Sequence, residues 1–292
     1  MSGGEPVPAF PIVDAHVHLY DPGVIRYGWM RGKPALEQQR LMAQLDAARG
    51  AVEIDALVWV EVGADPGQYL QEASFVDGLA RADRRIRAMV AHAPLERGAA
   101  VTPDLEKLAA HDLTRGIRRL LQDEPDDAFC LQPGFVEGVR LLARFGLSFE
   151  ICVYHRQLAG AVELVRRCPD VRFVLDHAGK PGIRESLMEP WRTHITELAA
   201  LPNVWCKLSG LITEADHAEW TRAQLRPYID HVIESFGFAR VMFGSDWPVS
   251  EQTHRYAKWV EIVDWMRAGA CEDERRSLFR DNAIAFYRLG AS

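Results

Sequence analysis

The sequence predicts an α/β fold, a (β/α)8 barrel of the TIM type, folded as a single domain over residues 1–292. Three observations carry that expectation. About eight short apolar runs alternate with helix-period segments, which matches a closed parallel barrel better than an open sheet. The length of 292 residues accommodates one barrel of ~250 residues with extensions. Polar residues fall at the C-terminal ends of the apolar runs, where such barrels place their chemistry.

Residues 1–9 are small, polar and proline-containing, and read as a loose arm. The first strand covers 12–19, and its alternation sends His16 and His18 to one face. A long connection, 20–34, carries Tyr20, Tyr27 and Trp29 and reads as a pocket wall or lid. A helix at 36–49, with apolar Leu41, Leu45 and Ala48, leads to a strand at 54–61 that ends in Glu61. Helix 68–81 and strand 85–91 follow, with His92 just beyond. Pro103 suits the first position of the next helix, where its missing N–H costs nothing. A short strand at 114–119 precedes an acidic loop at 123–127, and helix 133–145 leads into strand 147–153. Then come helix 157–167, strand 171–177, helix 189–201, strand 204–208, a helical stretch at 219–236 and strand 241–246. Helical patterns at 256–267 and 273–287 close the chain.

Apolar content of 48% and charged content of 26% are those of an ordinary globular protein. A net charge of −7 argues against nucleic-acid binding and against a polybasic membrane surface. The partner class that remains is a small-molecule substrate, with monomer and homo-oligomer both open. Residues 1–11 lack a secretory pattern, and no apolar run approaches the ~20 residues of a membrane span. The five cysteines are widely spaced and never form Cys-x-x-Cys, so the expectation is a reduced, cytoplasmic protein. Neither a Gly-x-Gly-x-x-Gly nor a Walker-type loop occurs, which weakens dinucleotide and P-loop readings.

Closing a barrel makes its first and last strands neighbours. His16, His18 and Asp246 would then meet across nearly the whole chain, with His177 converging from the sixth strand. Imidazoles and a carboxylate at one centre suit a divalent metal or a polarised carbonyl. Gly244 and Ser245 before Asp246 let backbone approach closely, and Pro248 stops the strand. Arg118 and Lys180 could hold a carboxylate or hydroxyls, and Lys207 ends an otherwise apolar strand, which favours a buried or pocket role. Asp176 reads as facing the helix layer if His177 is merely a core histidine.

Asp14-Ala15-His16-Val17-His18, Leu175-Asp176-His177-Ala178-Gly179-Lys180-Pro181 and Phe243-Gly244-Ser245-Asp246-Trp247-Pro248 together resemble the motifs of the amidohydrolase superfamily. Cys206-Lys207-Leu208-Ser209-Gly210, Gly116-Ile117-Arg118 and Leu121-Gln122-Asp123-Glu124 add to the likeness, which spans essentially the whole chain and points to its sugar-lactonase branch. The resemblance implies Asp246 as general base, with His16, His18 and His177 at a metal or carbonyl site. One divalent metal, zinc by preference, would be held by His16, His18, His177 and Asp246, although action without a metal stays open. Without a carbamylated-lysine context, two metals are not expected. Arg118, Lys180 and Lys207 would bind substrate hydroxyls, with Trp29 and Trp247 as walls. The implied reaction is hydrolysis of an aldono-1,4- or 1,5-lactone. Its rivals are a muconolactone or pyrone lactonase, a zinc-dependent decarboxylase on the same barrel, and a barrel that binds without turnover.

Overall fold

A computed structural model describes residues 8–290, so residues 1–7 of the expected arm and the last two residues lie outside the described residues. Eight parallel strands form one sheet, each paired with the next in chain order. They are β1 (Ile12–Val17), β2 (Ile54–Val60), β3 (Ile86–His92), β4 (Thr114–Arg118), β5 (Ser148–Ile151), β6 (Phe173–Leu175), β7 (Val204–Leu208) and β8 (Val241–Phe243). Between them run α1 (Met42–Arg49), α2 (Tyr69–Ala82), α3 (Thr102–Ala109), α4 (Pro133–Leu141), α5 (Leu158–Arg167), α6 (Trp191–Ala199) and α7 (Arg222–Phe236). After β8 come α8 (Tyr256–Met266), α9 (Glu272–Arg276) and α10 (Asn282–Tyr287). Among the described residues no helix is long and apolar enough to cross a membrane.

The seam between first and last strands is made by the residues just beyond β8. Asp246 N donates to His16 O at 2.9 Å and His18 N donates to Trp247 O at 2.8 Å. Asp14 stitches the same seam from behind. Its Oδ1 accepts from Ser245 N at 2.8 Å and from His16 N at 3.1 Å, and its Oδ2 accepts from Tyr256 Oη at 3.1 Å. A barrel closed in this way has no free edge to mispair.

Alternation along β2 sorts the core into two bodies. Ala56, Val58 and Val60 point into the barrel, while Leu57 and Trp59 point toward the helices. In β1, Val13 and Ala15 belong to the interior set, but so do the side chains of His16 and His18, while Val17 and Leu19 pack outward. That switch of parity needs one extra residue, and the β1–β2 pairing slips between Asp14 and Val17. The irregularity is a bulge that turns both imidazoles inward. Small interior residues on β1–β3 leave room for a plug from the C-terminal segment. Ala283, Phe286, Tyr287 and Leu289 fill the end of the barrel opposite the histidines.

Several elements end earlier than their hydrophobic pattern. The expected helix at 36–49 starts only at Met42, because Arg40 N donates to Tyr20 O at 2.9 Å and Tyr20 N donates to Arg40 O at 2.8 Å. That bridge uses the backbone groups a helical turn would need. The expected strands 171–177 and 241–246 stop at Leu175 and Phe243, since His177 and Asp246 take φ of 53° and 57°. Left-handed backbone at non-glycine residues costs on the order of 1–2 kcal/mol each and is held only where the surroundings over-determine it.

Candidate active site

At the C-terminal mouth of the barrel the three histidines and Asp246 converge. His18 Nδ1 donates to Val60 O at 2.9 Å, which turns its Nε2 to Asp246 Oδ1 at 3.3 Å. His16 Nε2 lies 3.8 Å from the same oxygen. His177 Nδ1 meets Ser209 Oγ at 2.9 Å, and its ring centroid stands 4.6 Å from that of His16. The crowding depends on two glycines. A Cβ on Gly244 would sit 2.7 Å from His16 Cβ, and one on Gly210, at φ +60°, would sit 2.7 Å from His177 Nδ1.

Beneath this floor lies a buried charge network. Arg118 donates from Nε to Glu61 Oε1 at 2.7 Å and from Nη2 to Glu61 O at 2.6 Å, while Nη1 reaches Asp176 Oδ2 and His16 Nε2, each at 3.3 Å. Lys207 Nζ donates to Glu150 Oε2 at 2.6 Å and lies 3.2 Å from Asp176 Oδ1 and 3.3 Å from His16 Nδ1. Burial alone would raise the carboxyl groups of Asp176 and Glu61. Lys207 and His16 beside Asp176, and Arg118 beside Glu61, nevertheless hold both below the ordinary carboxylate range. Glu150 is pushed up to about 7 by burial, against the pull of Lys207. At the floor itself, burial raises Asp246, but the imidazoles around it, His177 foremost, outweigh this and keep it ionised. Burial drives His16 down and takes His177 to about 4, so both rings are neutral near pH 7.

The donor set fits a divalent cation. Among the described residues, His16, His18 and Asp246 bring candidate ligand atoms within 4.8 Å of one another, and so do His16, Asp176 and His177. Separations of 3.3 and 3.8 Å match ligands sharing one ion at about 2.0–2.2 Å. Two further observations favour a cation. With Nδ1–H taken up by Val60 O, His18 turns its second ring nitrogen to the Asp246 carboxylate at 3.3 Å, as two ligands of one ion would. In addition, the buried carboxyl groups of Glu61, Glu150, Asp176 and Asp246 outnumber the cations of Arg118 and Lys207, which leaves the set short of positive charge. Nitrogen and oxygen donors without thiolate suit a first-row divalent metal.

Above the floor opens a cavity of about 440 Å³. His18, His177, Asp246, Arg118, Lys180 and Trp29 all line it. Trp29, on the loop after β1, is anchored by its Nε1 donating to Val62 O at 2.7 Å, with Lys33 Nζ 4.9 Å over its ring. Lys180 Nζ bonds Gln122 Oε1 and stands 4.0 Å from Glu214 Oε1. A larger cleft of about 520 Å³ lies at the opposite end of the barrel, beside His111 and Arg81, where none of the converging groups reaches.

Two expected contacts fail. Lys207 has no exposed surface and points into the barrel, where Glu150 and Asp176 hold it, so it cannot meet a hydroxyl. Trp247 is likewise fully buried, its Nε1 donating to Glu251 Oε1 at 2.9 Å, and the apolar wall is supplied instead by Leu36, Val62, Leu120 and Val249. Asp176 faces the barrel interior and not the helix layer. Residues that sequence reasoning passed over include Asp14, Ser209 and Glu150. Glu150 had a signal, since a charge in mid-strand within Ser148–Ile151 calls for a buried partner, and the lysine on β7 supplies it.

Glu72, in the first turn of α2, accepts from Val62 N at 3.2 Å and is raised from 4.5 to about 8, first by burial and then by the charge of Glu61. Its folded pKa lies above the unfolded one, so its contribution to stability is full below pH ~4.5 and is lost as pH rises through ~8. We expect Glu72→Gln to match wild type at pH 4.5 and exceed it at pH 8 by on the order of 4 kcal/mol. Urea unfolding at the two pH values measures this, and an equal or lower midpoint for the variant at pH 8 would refute it.

Comparison with known proteins places these features in context. The family model described as Amidohydrolase matches residues 13–289. An L-fucono-1,5-lactonase of Burkholderia multivorans is 32% identical over 292 residues, covering 95% of this chain and 96% of that protein. An L-rhamnono-gamma-lactonase of Scheffersomyces stipitis is 24% identical, covering 96% and 99% respectively. A zinc-bound crystal structure of an amidohydrolase from Burkholderia multivorans superposes with a TM-score of 0.85 at 32% identity, covering 96% of this chain and 100% of that one.

Proposed function

The chain belongs to the amidohydrolase family, and on that premise we propose that it hydrolyses a small sugar-acid lactone to the aldonic acid. The substrate class is an aldono-1,4- or 1,5-lactone of the L-fucono or L-rhamnono kind, which is what the lactonases it resembles are named for. The observation that carries the reading is an ionised Asp246 on the floor of a cavity, facing three imidazoles of which two are held neutral.

In this account His16, His18, His177 and Asp246 would hold one divalent metal, zinc by preference. When bound, that ion supplies Lewis-acid polarisation of the lactone carbonyl. Asp246 takes a proton from the attacking water and returns it to the ring oxygen as the C–O bond breaks. The Arg118 Nη1–H, fixed beside His16 by Glu61 and Asp176, adds a preorganised positive charge where the oxyanion develops. Lys180 and Gln122 bind hydroxyls on one wall, and Trp29 offers an aromatic face to the ring carbons.

The charge of the cavity favours a neutral polyol over a dicarboxylate pyrone. Arg118 is already committed to Glu61 and Asp176, Lys180 neighbours Glu214, and Asp123 adds a negative charge to the lining. A pH-indicator assay on a panel of aldonolactones and one pyrone dicarboxylate tests the reading. Turnover of one stereochemical group of sugar lactones is expected. Turnover of the dicarboxylate alone would overturn it. Lys180→Ala should raise KM roughly tenfold, the worth of a hydrogen bond to a charged group, with kcat nearly unchanged. A fall in kcat at constant KM would move Lys180 into the chemistry.

A further inference from the structure

A line of fully buried contacts runs from the C-terminal plug to the floor of the cavity. Tyr287, at the end of α10, donates its hydroxyl to Glu150 Oε1, and its ring lies 5.6 Å from Lys207 Nζ. Glu150 Oε2 accepts from Lys207 Nζ at 2.6 Å. Lys207 Nζ stands 3.2 Å from Asp176 Oδ1 and 3.3 Å from His16 Nδ1. Asp176 Oδ1 is also 3.3 Å from His16 Nδ1, and it has no aligned hydrogen bond of its own.

His16 is thereby placed in a conflict. A neutral imidazole has one N–H and one lone pair. Yet both of its nitrogens face a cation at 3.3 Å, Arg118 Nη1 at Nε2 and Lys207 Nζ at Nδ1. If Lys207 donates to Nδ1, the proton must sit on Nε2, which then has no lone pair for a metal and aims its N–H at a guanidinium. If Nδ1–H donates instead to the orphaned Asp176 oxygen, Nε2 keeps its lone pair toward Asp246 and His18. The direction in which Lys207 aims its N–H groups decides between the two.

We propose that Tyr287 is a positioning residue: its hydroxyl fixes Glu150, Glu150 draws the Lys207 N–H groups away from the His16 Nδ1 that stands 3.3 Å off, and Nδ1–H is left to turn to Asp176 while Nε2 keeps its lone pair for a divalent cation. This rests on the metal reading given above. With two donors on its two oxygens, the Glu150 carboxylate has one orientation. Without the hydroxyl it is free to rotate, and Lys207 follows it. Partners that orient a ligating histidine from behind typically govern metal affinity by 10–100-fold.

A merely structural plug is separated from this role by its neighbour. Phe286 belongs to the same helix and the same interior cluster, stacking 5.0 Å from Trp205 and 4.6 Å from Arg172, but it makes no polar contact with the site. Zinc affinity is measured by competition with a chromophoric chelator for wild type, Tyr287→Phe and Phe286→Leu, with His16→Asn as the control for loss of the site. Tyr287→Phe should weaken zinc roughly tenfold, at the low end of that range because it acts through two intermediaries. The ¹⁵N shifts of the zinc-free His16 ring should move toward the Nε2–H tautomer in that variant. Phe286→Leu should keep wild-type affinity even where it unfolds more easily. Unchanged affinity in Tyr287→Phe, or an equal loss in Phe286→Leu, overturns the positioning role and leaves the metal site standing. A wild-type chain that binds no zinc overturns both.

Discussion

Replacing Asp246 by asparagine is expected to lower kcat for lactone hydrolysis by about 10²–10⁴, the usual worth of a positioned general base. The amide keeps the size of the side chain, and the backbone bond from Asp246 N to His16 O at 2.9 Å is untouched, so the barrel seam survives. What disappears is the ionised carboxylate that faces the three imidazoles at the cavity floor. Because Asp246 also sits within ligand distance of His16 and His18, the assay is run at saturating zinc, which separates lost base from lost metal. KM should change by no more than a few-fold, as for a group that acts in the transition state. Wild-type turnover by the variant would remove Asp246 from the mechanism.

Arg118→Met should have the largest effect on the fold. Removing one partner of a buried ion pair costs about 3–5 kcal/mol, because the other charge is left uncompensated in low dielectric. Here Glu61 loses its cation at 2.7 Å, and Asp176 loses the guanidinium at 3.3 Å while keeping Lys207 at 3.2 Å. Denaturant unfolding should show that loss, and adding Glu61→Gln should restore part of it by removing one stranded charge. kcat should fall as well, since Asp176 and His16 both rest against the guanidinium. The sequence alone casts Arg118 as a hydroxyl ligand whose removal would act chiefly on KM. A variant as stable as wild type, with only KM raised, would favour that simpler role.

The difference between those two expectations marks how far the sequence can be read. Strand count, chain order and the meeting of His16, His18 and Asp246 were all legible, because they follow from alternation and from barrel closure. The bulge in β1 was not. Ile12-Val13-Asp14-Ala15-His16 alternates plausibly in either register, and only the pairing with β2 reveals the slipped residue. Local pattern also misjudged depth. Lys207 and Trp247 lie next to site residues in sequence, yet strand direction buries one among carboxylates and the other against the seam. Glu150, Asp176 and Lys207 explain one another only once β5, β6 and β7 are adjacent in space. Long-range charge compensation of that kind has no signature in any single segment.

The central claim is that the converging histidines and Asp246 hydrolyse a sugar lactone around one divalent ion. The most direct test is to strip the protein with a chelator and titrate zinc back while following hydrolysis of an aldono-1,5-lactone. Activity rising linearly and breaking at one equivalent per chain is the predicted result. Full activity in the stripped protein would contradict the metal, and no hydrolysis at any zinc loading would contradict the lactonase reading itself.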